Sequence, residues 1–470
     1  HFYNKLIIMH YLCVISLLIA STTAFTSNFN HLLSLPFTKQ DLSTIHEKWI
    51  EEPLDHFDSK EKRTLKIRYF ENLELWKPNA PIYVYIGGPM PIIEGIIANV
   101  DIFLMAQLAK ETNGGMFAAE HRYYGKSLPD IKNNDTVEYY KFLSTEQALE
   151  DLVSLIKMLK SDSKFKTSKV VMIGGWYAGN LAAWMRELHP DLVDAAVASS
   201  APVLAKKDFH EYLDVTRYAF GKYGPETCLK NMEKMFKRCE KQLKSASGIE
   251  DLKLEWNICP DNDMTVLENQ QYFFYQIVYR LLKGTVAYTS PHIVEVVCKT
   301  YFGSDENMSL DNLKDMLVGD GCNNVDFRSQ DFTKLEYAAW IHQVCTEFGY
   351  QETTSSEKQP FVHWNPLDFT LKICRGFIKG DVEKKMDEGI AKTNKKYGGL
   401  TPNVTKVVFT HGDMDPWHTL GVLKDLGPDA PATMVNGTSQ CGVLMVMDDE
   451  PKEMTENRRY VKELIKKWIS

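Results

Sequence analysis

Three short stretches carry residues whose types and spacing bear on acyl-transfer chemistry. They are "GGWYAG" at Gly174–Gly179, "GDMDPW" at Gly412–Trp417 and "NGTSQC" at Asn436–Cys441. The first follows the apolar run Val170–Ile173 and leads into an amphipathic stretch through Arg186. Small residues on both sides of a strand-to-helix turn let strand and helix approach closely, and the residue at the apex is then presented for attack on a carbonyl. A serine belongs there; the sequence has Trp176. The next residue, Tyr177, would give its backbone N–H to an oxyanion at the helix N-terminus. A second donor is expected from the loop at Gly88, where Pro89 and Pro91 follow and bring no N–H. An acid and a base should come later in the chain, each on a loop after a strand. Asp415 stands at the acid position and Gln440 at the base position.

The chemistry fails at two of these three positions. An indole carbon does not attack a carbonyl, and the indole N–H only donates. A glutamine amide has no proton affinity near neutral pH and cannot act as a general base. Asp415 then has no imidazole to orient. A serine codon becomes a tryptophan codon by one base change, so an error in the sequence would explain Trp176, but a second coincident change would be needed at Gln440. Other groups lie nearby. Ser199 and Ser200 follow the next strand, Ser439 sits on the base loop, and His411 and His418 flank Asp415. A triad needs contacts of about 3 Å, which rarely survive moving a member along the chain. His121 reads as a packed histidine at a strand end, and Asp55 and Glu120 as structural hydrogen-bonders. Asp413 neighbours the acid position without matching it.

Elements able to hold such loops are legible. Pro81–Gly88, Gly115–His121, Val170–Ile173 and Val193–Ala198 read as apolar strands. Ser144–Lys160 opens with a capping box, Ser144 and Gln147, and carries a helical apolar stripe. Strand alternating with helix predicts a largely parallel sheet covered on both faces. From 206 to 395 the chain turns helix-rich and cysteine-bearing. Strands return at Val404–Thr410 and Ala432–Val435, and Asp449–Ile469 reads as a closing helix. The expected organisation is therefore a core at 45–205, a helical insertion at 206–395, and the rest of the core at 396–470.

The chain has 470 residues, a formal net charge of −8 and 25% charged residues. No basic patch with interleaved aromatics suggests nucleic acid. Residues 9–24 read as a secretion signal: a short apolar core, then Thr22 and Ala24 before a cleavage site. Eight cysteines remain beyond it: Cys228, Cys239, Cys259, Cys298, Cys322, Cys345, Cys374 and Cys441. An even number in a secreted chain predicts up to four disulfides, with Cys441 a half-cystine rather than a nucleophile. Four sequons, at Asn134, Asn307, Asn403 and Asn436, fit a glycosylated surface. Nothing predicts a metal, a cofactor or a membrane span.

Several stretches together resemble the prolyl carboxypeptidase family of serine peptidases, thymus-specific serine protease included. They are "PLDHF" at Pro53–Phe57, "EHRYYGKSLP" at Glu120–Pro129, "LSTEQALEDL" at Leu143–Leu152, "ASSAPVLAKKDFHEYLDV" at Ala198–Val215, "QVCTEFGYQ" at Gln343–Gln351 and "GDMDPW". The resemblance implies an α/β-hydrolase core with a helical cap insertion, and cleavage at proline-containing peptide bonds by a Ser-Asp-His triad. The family has Ser at the position of Trp176 and His at that of Gln440, so only Asp415 carries over. Two functions follow as expectations. One is a secreted or lysosomal glycoprotein without catalysis that binds proline-containing peptides or a protein partner, for which a homodimer would be unsurprising. The other is an active exopeptidase with a sequence error or a relocated nucleophile. A storage glycoprotein is a third.

Overall fold

The computed structural model describes residues 42–470 apart from 100, 133–134, 278–285, 287–289, 304–320 and 448–449. The expected signal segment and the sequons at Asn134 and Asn307 lie outside the described residues. Ten strands are seen in chain order: β1 (Ile45–Pro53), β2 (Thr64–Asn72), β3 (Ile82–Ile86), β4 (Gly115–Ala119), β5 (Val170–Gly175), β6 (Ala195–Ser199), β7 (Lys206–Asp208), β8 (Gly349–Gln351), β9 (Val407–Gly412) and β10 (Ala432–Val435). Eight form one sheet in the order β1-β2-β4-β3-β5-β6-β9-β10. From β4 to β10 every pairing is parallel, whereas β1 and β2 join antiparallel.

The sequence explains the central strands. Every residue of β3, β4, β5, β6 and β9 is buried, as expected of strands covered on both faces. The helix Thr145–Ser161 begins where the capping box predicts, with Ser144 Oγ accepting from the Gln147 N–H at 3.3 Å. The helix Lys452–Ile469 buries Val461, Ile465 and Trp468 along one face. This is an α/β-hydrolase core with helical insertions. No helix among the described residues is long and apolar enough to cross a membrane.

Two features escaped the sequence reading. One is the β1–β2 hairpin. Its outer strand, "IHEKWIEEP", is largely exposed and charged, as edges often are, and lacks an apolar face to announce it. The other is the pair β7–β8, in which Lys206 lies opposite Gly349 and Asp208 opposite Gln351. Between the two strands the chain makes a long helical excursion.

Three disulfides join Cys228–Cys298, Cys259–Cys322 and Cys345–Cys374, and Cys441 is disulfide-bonded as well. Cys239, one of the eight disulfide candidates, is instead a free thiol. Its helix, Glu226–Gln242, turns it inward with Met232, Met235 and Phe236, and burial pushes the thiol pKa up to about 12. It behaves as a small apolar side chain.

Candidate functional site

The turn after β5 brings strand and helix into contact so close that only small residues fit. A Cβ on Gly174 would stand 2.0 Å from the Ala178 carbonyl oxygen, and one on Gly179 would stand 2.9 Å from that of Ser199. At the apex Trp176 has φ 56° and ψ −126°, and the helix Tyr177–Leu188 starts at once. Its backbone N–H donates to the Ser199 carbonyl at 2.8 Å, and its carbonyl accepts from the Gly179 N–H at 2.8 Å. The indole is 2% exposed. It packs between Trp340, with ring centroids 4.6 Å apart, and Trp417, at 5.2 Å. Its own N–H finds no partner among the described residues.

Asp415 follows β9 and is fully buried. It caps the 3-10 helix Pro416–Leu420, with Oδ1 accepting from the Trp417 N–H at 3.0 Å. Burial pushes its pKa up to about 7, against the pull of the Ser200 hydroxyl and that N–H. Gln440 is buried too, and neither its amide oxygen nor its amide nitrogen has a partner among the described residues. A buried polar group left unpaired costs about 1–3 kcal/mol.

Ser199 and Ser200 bring these loops together. The Ser199 carbonyl takes the N–H of Trp176, and the Ser200 N–H donates to Thr410 at the end of β9. Ser200 Oγ accepts from the N–H of Cys441, next to Gln440, at 2.7 Å. Ser200 adopts φ 53° to do so. It serves as a hub of the three loops, which its sequence neighbourhood alone did not reveal.

Gly88 lies over the start of the elbow helix, where a Cβ would meet only the Ala178 methyl, 3.9 Å away. Tyr177 takes the first helical position, where N–H groups have no intrahelical acceptor. Its side chain points elsewhere. The hydroxyl meets His121 Nε2 at 3.0 Å, Gln343 Nε2 at 3.0 Å and Thr145 Oγ1 at 3.3 Å. Glu347, half-buried beside them, accepts from the Thr145 N–H at 3.0 and 3.1 Å, and loss of solvent around it raises its pKa to about 7. Gln343 also accepts from the Tyr124 hydroxyl at 2.6 Å. The "EHRYYG" and "QVCTEFGYQ" stretches thus meet in one buried polar network beneath the elbow. Gln343 and Glu347 carried no such reading in the sequence, because their partners lie far along the chain.

The remaining candidates fall outside the apex. His121 is buried against Tyr177, and burial lowers its pKa to about 4. His418 bonds through Nδ1 to the carbonyl of Asp415 rather than its carboxyl, at 2.7 Å. His411 bonds to the Val422 carbonyl at 3.1 Å, and burial depresses its pKa to about 3. Glu120 is forked by Arg68, with contacts of 3.2 and 2.5 Å. Asp55 accepts from the Phe57 N–H and from Gln147. Asp413 holds the helix Glu211–Tyr223 to the core. Its carboxylate accepts from Tyr218 at 3.0 Å, Lys222 at 2.9 Å, Tyr223 at 2.7 Å and the Gly437 N–H at 2.7 Å. Asn403 and Asn436 are exposed. Among the described residues, Glu52, His56 and Asp151 have ligand atoms close enough to hold a metal ion. The Arg122 guanidinium already takes both Asp151 oxygens, at 2.7 and 2.6 Å, which disfavours a cation there.

Residues 52–461 match the family model for serine carboxypeptidase S28. The chain is 30% identical to the thymus-specific serine protease of Mus musculus, over 90% of this chain and 87% of that one. It is 26% identical to the lysosomal Pro-X carboxypeptidase of Bos taurus, over 90% and 88%. Among solved structures, the proline iminopeptidase of Mycobacterium smegmatis aligns with a TM-score of 0.39 at 11% identity, covering 90% of this chain and 98% of that one.

Proposed function

Because the chain belongs to the serine carboxypeptidase S28 family, we propose that it is a member without acyl-transfer activity, whose scaffold binds proline-containing peptides or a protein partner in a secretory or lysosomal setting. The observation that carries this reading is the indole at the elbow apex, buried between two further indoles where a nucleophile and a substrate carbonyl would have to meet. Gln440 supports it, since the loop expected to supply a base supplies an amide. So do His411 and His418, each of which bonds one ring nitrogen to a backbone carbonyl. Removing triad members in serine proteases leaves roughly 10³–10⁴-fold catalysis over water, from the oxyanion hole and binding. An indole in the pocket works against even that remainder.

A fluorophosphonate probe tests the proposal. Purified protein is expected to stay unlabelled, and Trp176→Ser combined with Gln440→His to gain labelling at the new serine. Labelling of the unmodified chain, abolished by substituting one serine, would refute it and point to a relocated nucleophile.

A further inference from the structure

Beside the elbow, between the core and the excursion, lies a pocket of about 70 Å³. A single water needs roughly 10–15 Å³, so the space suits a group of several heavy atoms. Its floor is formed by the buried rings of Trp340, Tyr350 and Trp417. The half-buried Tyr275, Tyr337 and Glu352 stand at its outer wall. Tyr350 and Trp417 meet at 78°, with centroids 5.2 Å apart, while Trp340 lies within 30° of the plane of Tyr350. The rings therefore make a corner of two nearly perpendicular walls rather than one flat stack. Trp340 and Trp417 also flank Trp176, so the apex indole and the pocket share two rings.

We propose that this pocket binds a small organic cation of the alkylammonium type, with its charged end against the aromatic corner. Aromatic faces carry the negative part of the ring quadrupole and attract a cation within about 6 Å, most strongly when it is desolvated. Glu352 adds a carboxylate to the same wall, and the chain as a whole carries a net charge of −8. A primary ammonium would bring three N–H groups to be paired, for which Glu352, Gln351 and Thr370 line the pocket but the aromatic corner itself has no strong acceptor. A quaternary nitrogen brings none. The inference stands on the pocket alone and does not depend on the loss of catalysis.

Titration of the full chain with choline, followed by calorimetry and tryptophan fluorescence, tests it against 3,3-dimethylbutan-1-ol, a neutral molecule of the same shape. Choline is expected to bind saturably, about tenfold or more tighter than the alcohol. Tyr337→Leu and Glu352→Gln alter the outer wall without touching the packing on Trp176. Each is expected to weaken choline about three- to tenfold while circular dichroism stays native. Equal affinity for the alcohol would overturn the proposal, leaving a merely apolar pocket. So would absence of saturable choline binding by natively folded protein, or unchanged binding in both variants. None of these outcomes bears on fluorophosphonate labelling, so the two proposals fail separately.

Discussion

Trp176 keeps a backbone conformation that costs on the order of 1–3 kcal/mol for a residue with a side chain, and its buried N–H adds a further unpaired group. Burial of the indole among Trp340 and Trp417 offsets both. Asp415 shows the same kind of tension. A carboxyl held near pKa 7 inside the protein is less stable as an anion than in the unfolded chain. Its contribution to stability is intact below the unfolded value of about 4 and is lost as pH rises toward 7. Asp415→Asn keeps an acceptor for the Trp417 N–H and has no charge to bury. Thermal or urea unfolding at pH 8 is expected to show this variant more stable than the parent, by about 2 kcal/mol or more, and the gain to vanish near pH 4. A loss of stability at pH 8 would mean that the carboxylate has a cationic partner. The identities of Trp176, Asp415 and Gln440 were plain in the sequence because each sits in a short local pattern. The role of Ser200 was not, since its hydroxyl serves Cys441, far along the chain.

At the scale of elements, the polar contacts of Asp413 couple three pieces: the end of β9, the loop that leads to Gln440, and the helix Glu211–Tyr223. Burial alone would raise the Asp413 pKa, but Lys222, Tyr223, Tyr218 and the Gly437 N–H together hold it below the usual carboxylate value. This stabilisation is present above pH 4 and is lost as pH falls through the lowered pKa. Asp413→Ala should cost about 1.5–3 kcal/mol, the range for hydrogen bonds to a charged group. In hydrogen exchange, amides of Glu211–Tyr223 and of 436–441 should lose protection together. Loss in only one of them would show that the two are not coupled through Asp413. The parallel strands and the capped helix Thr145–Ser161 were legible because their patterns are local and strongly apolar. The β1–β2 hairpin was not, because an exposed charged edge has no pattern to distinguish it from a loop.

For the whole molecule, two sets of buried and half-buried groups pull stability in opposite directions with pH. Glu52, Glu347 and Asp415 are raised to about 7, so they destabilise the folded state as pH climbs from about 4 to 7. His121 and His342 are lowered to about 4, His411 to about 3, and His418 is lowered as well. These rings stay neutral while the unfolded chain takes up protons, so they destabilise the folded state as pH drops below about 6.5. Between about pH 4.5 and 6.5 the three acids offset three of the four rings, and stability is expected to rise gently with pH, by about 1.4 kcal/mol per unit or less. Glu347→Gln removes one opposing acid and should steepen that rise by about a further 1.4 kcal/mol per pH unit. A steep profile in the parent, or an unchanged slope in the variant, would contradict this balance.

The short pair β7–β8 has a further consequence for how the chain can change. The excursion 209–348 leaves the core and returns to it on adjacent strands, Lys206 beside Gly349. Two of the disulfides, Cys228–Cys298 and Cys259–Cys322, begin and end inside it. Lengthening such a loop costs only about 0.6 kcal/mol per doubling. Its disulfide-linked part can therefore change in length while both root strands stay in place, whereas Trp340, Gln343 and Glu347 near its return, and the helix Glu211–Tyr223 near its start, are held by the core. The graft point is thus the stretch between Cys228 and Cys322, bounded by segments that must keep their grip on the elbow and on Asp413.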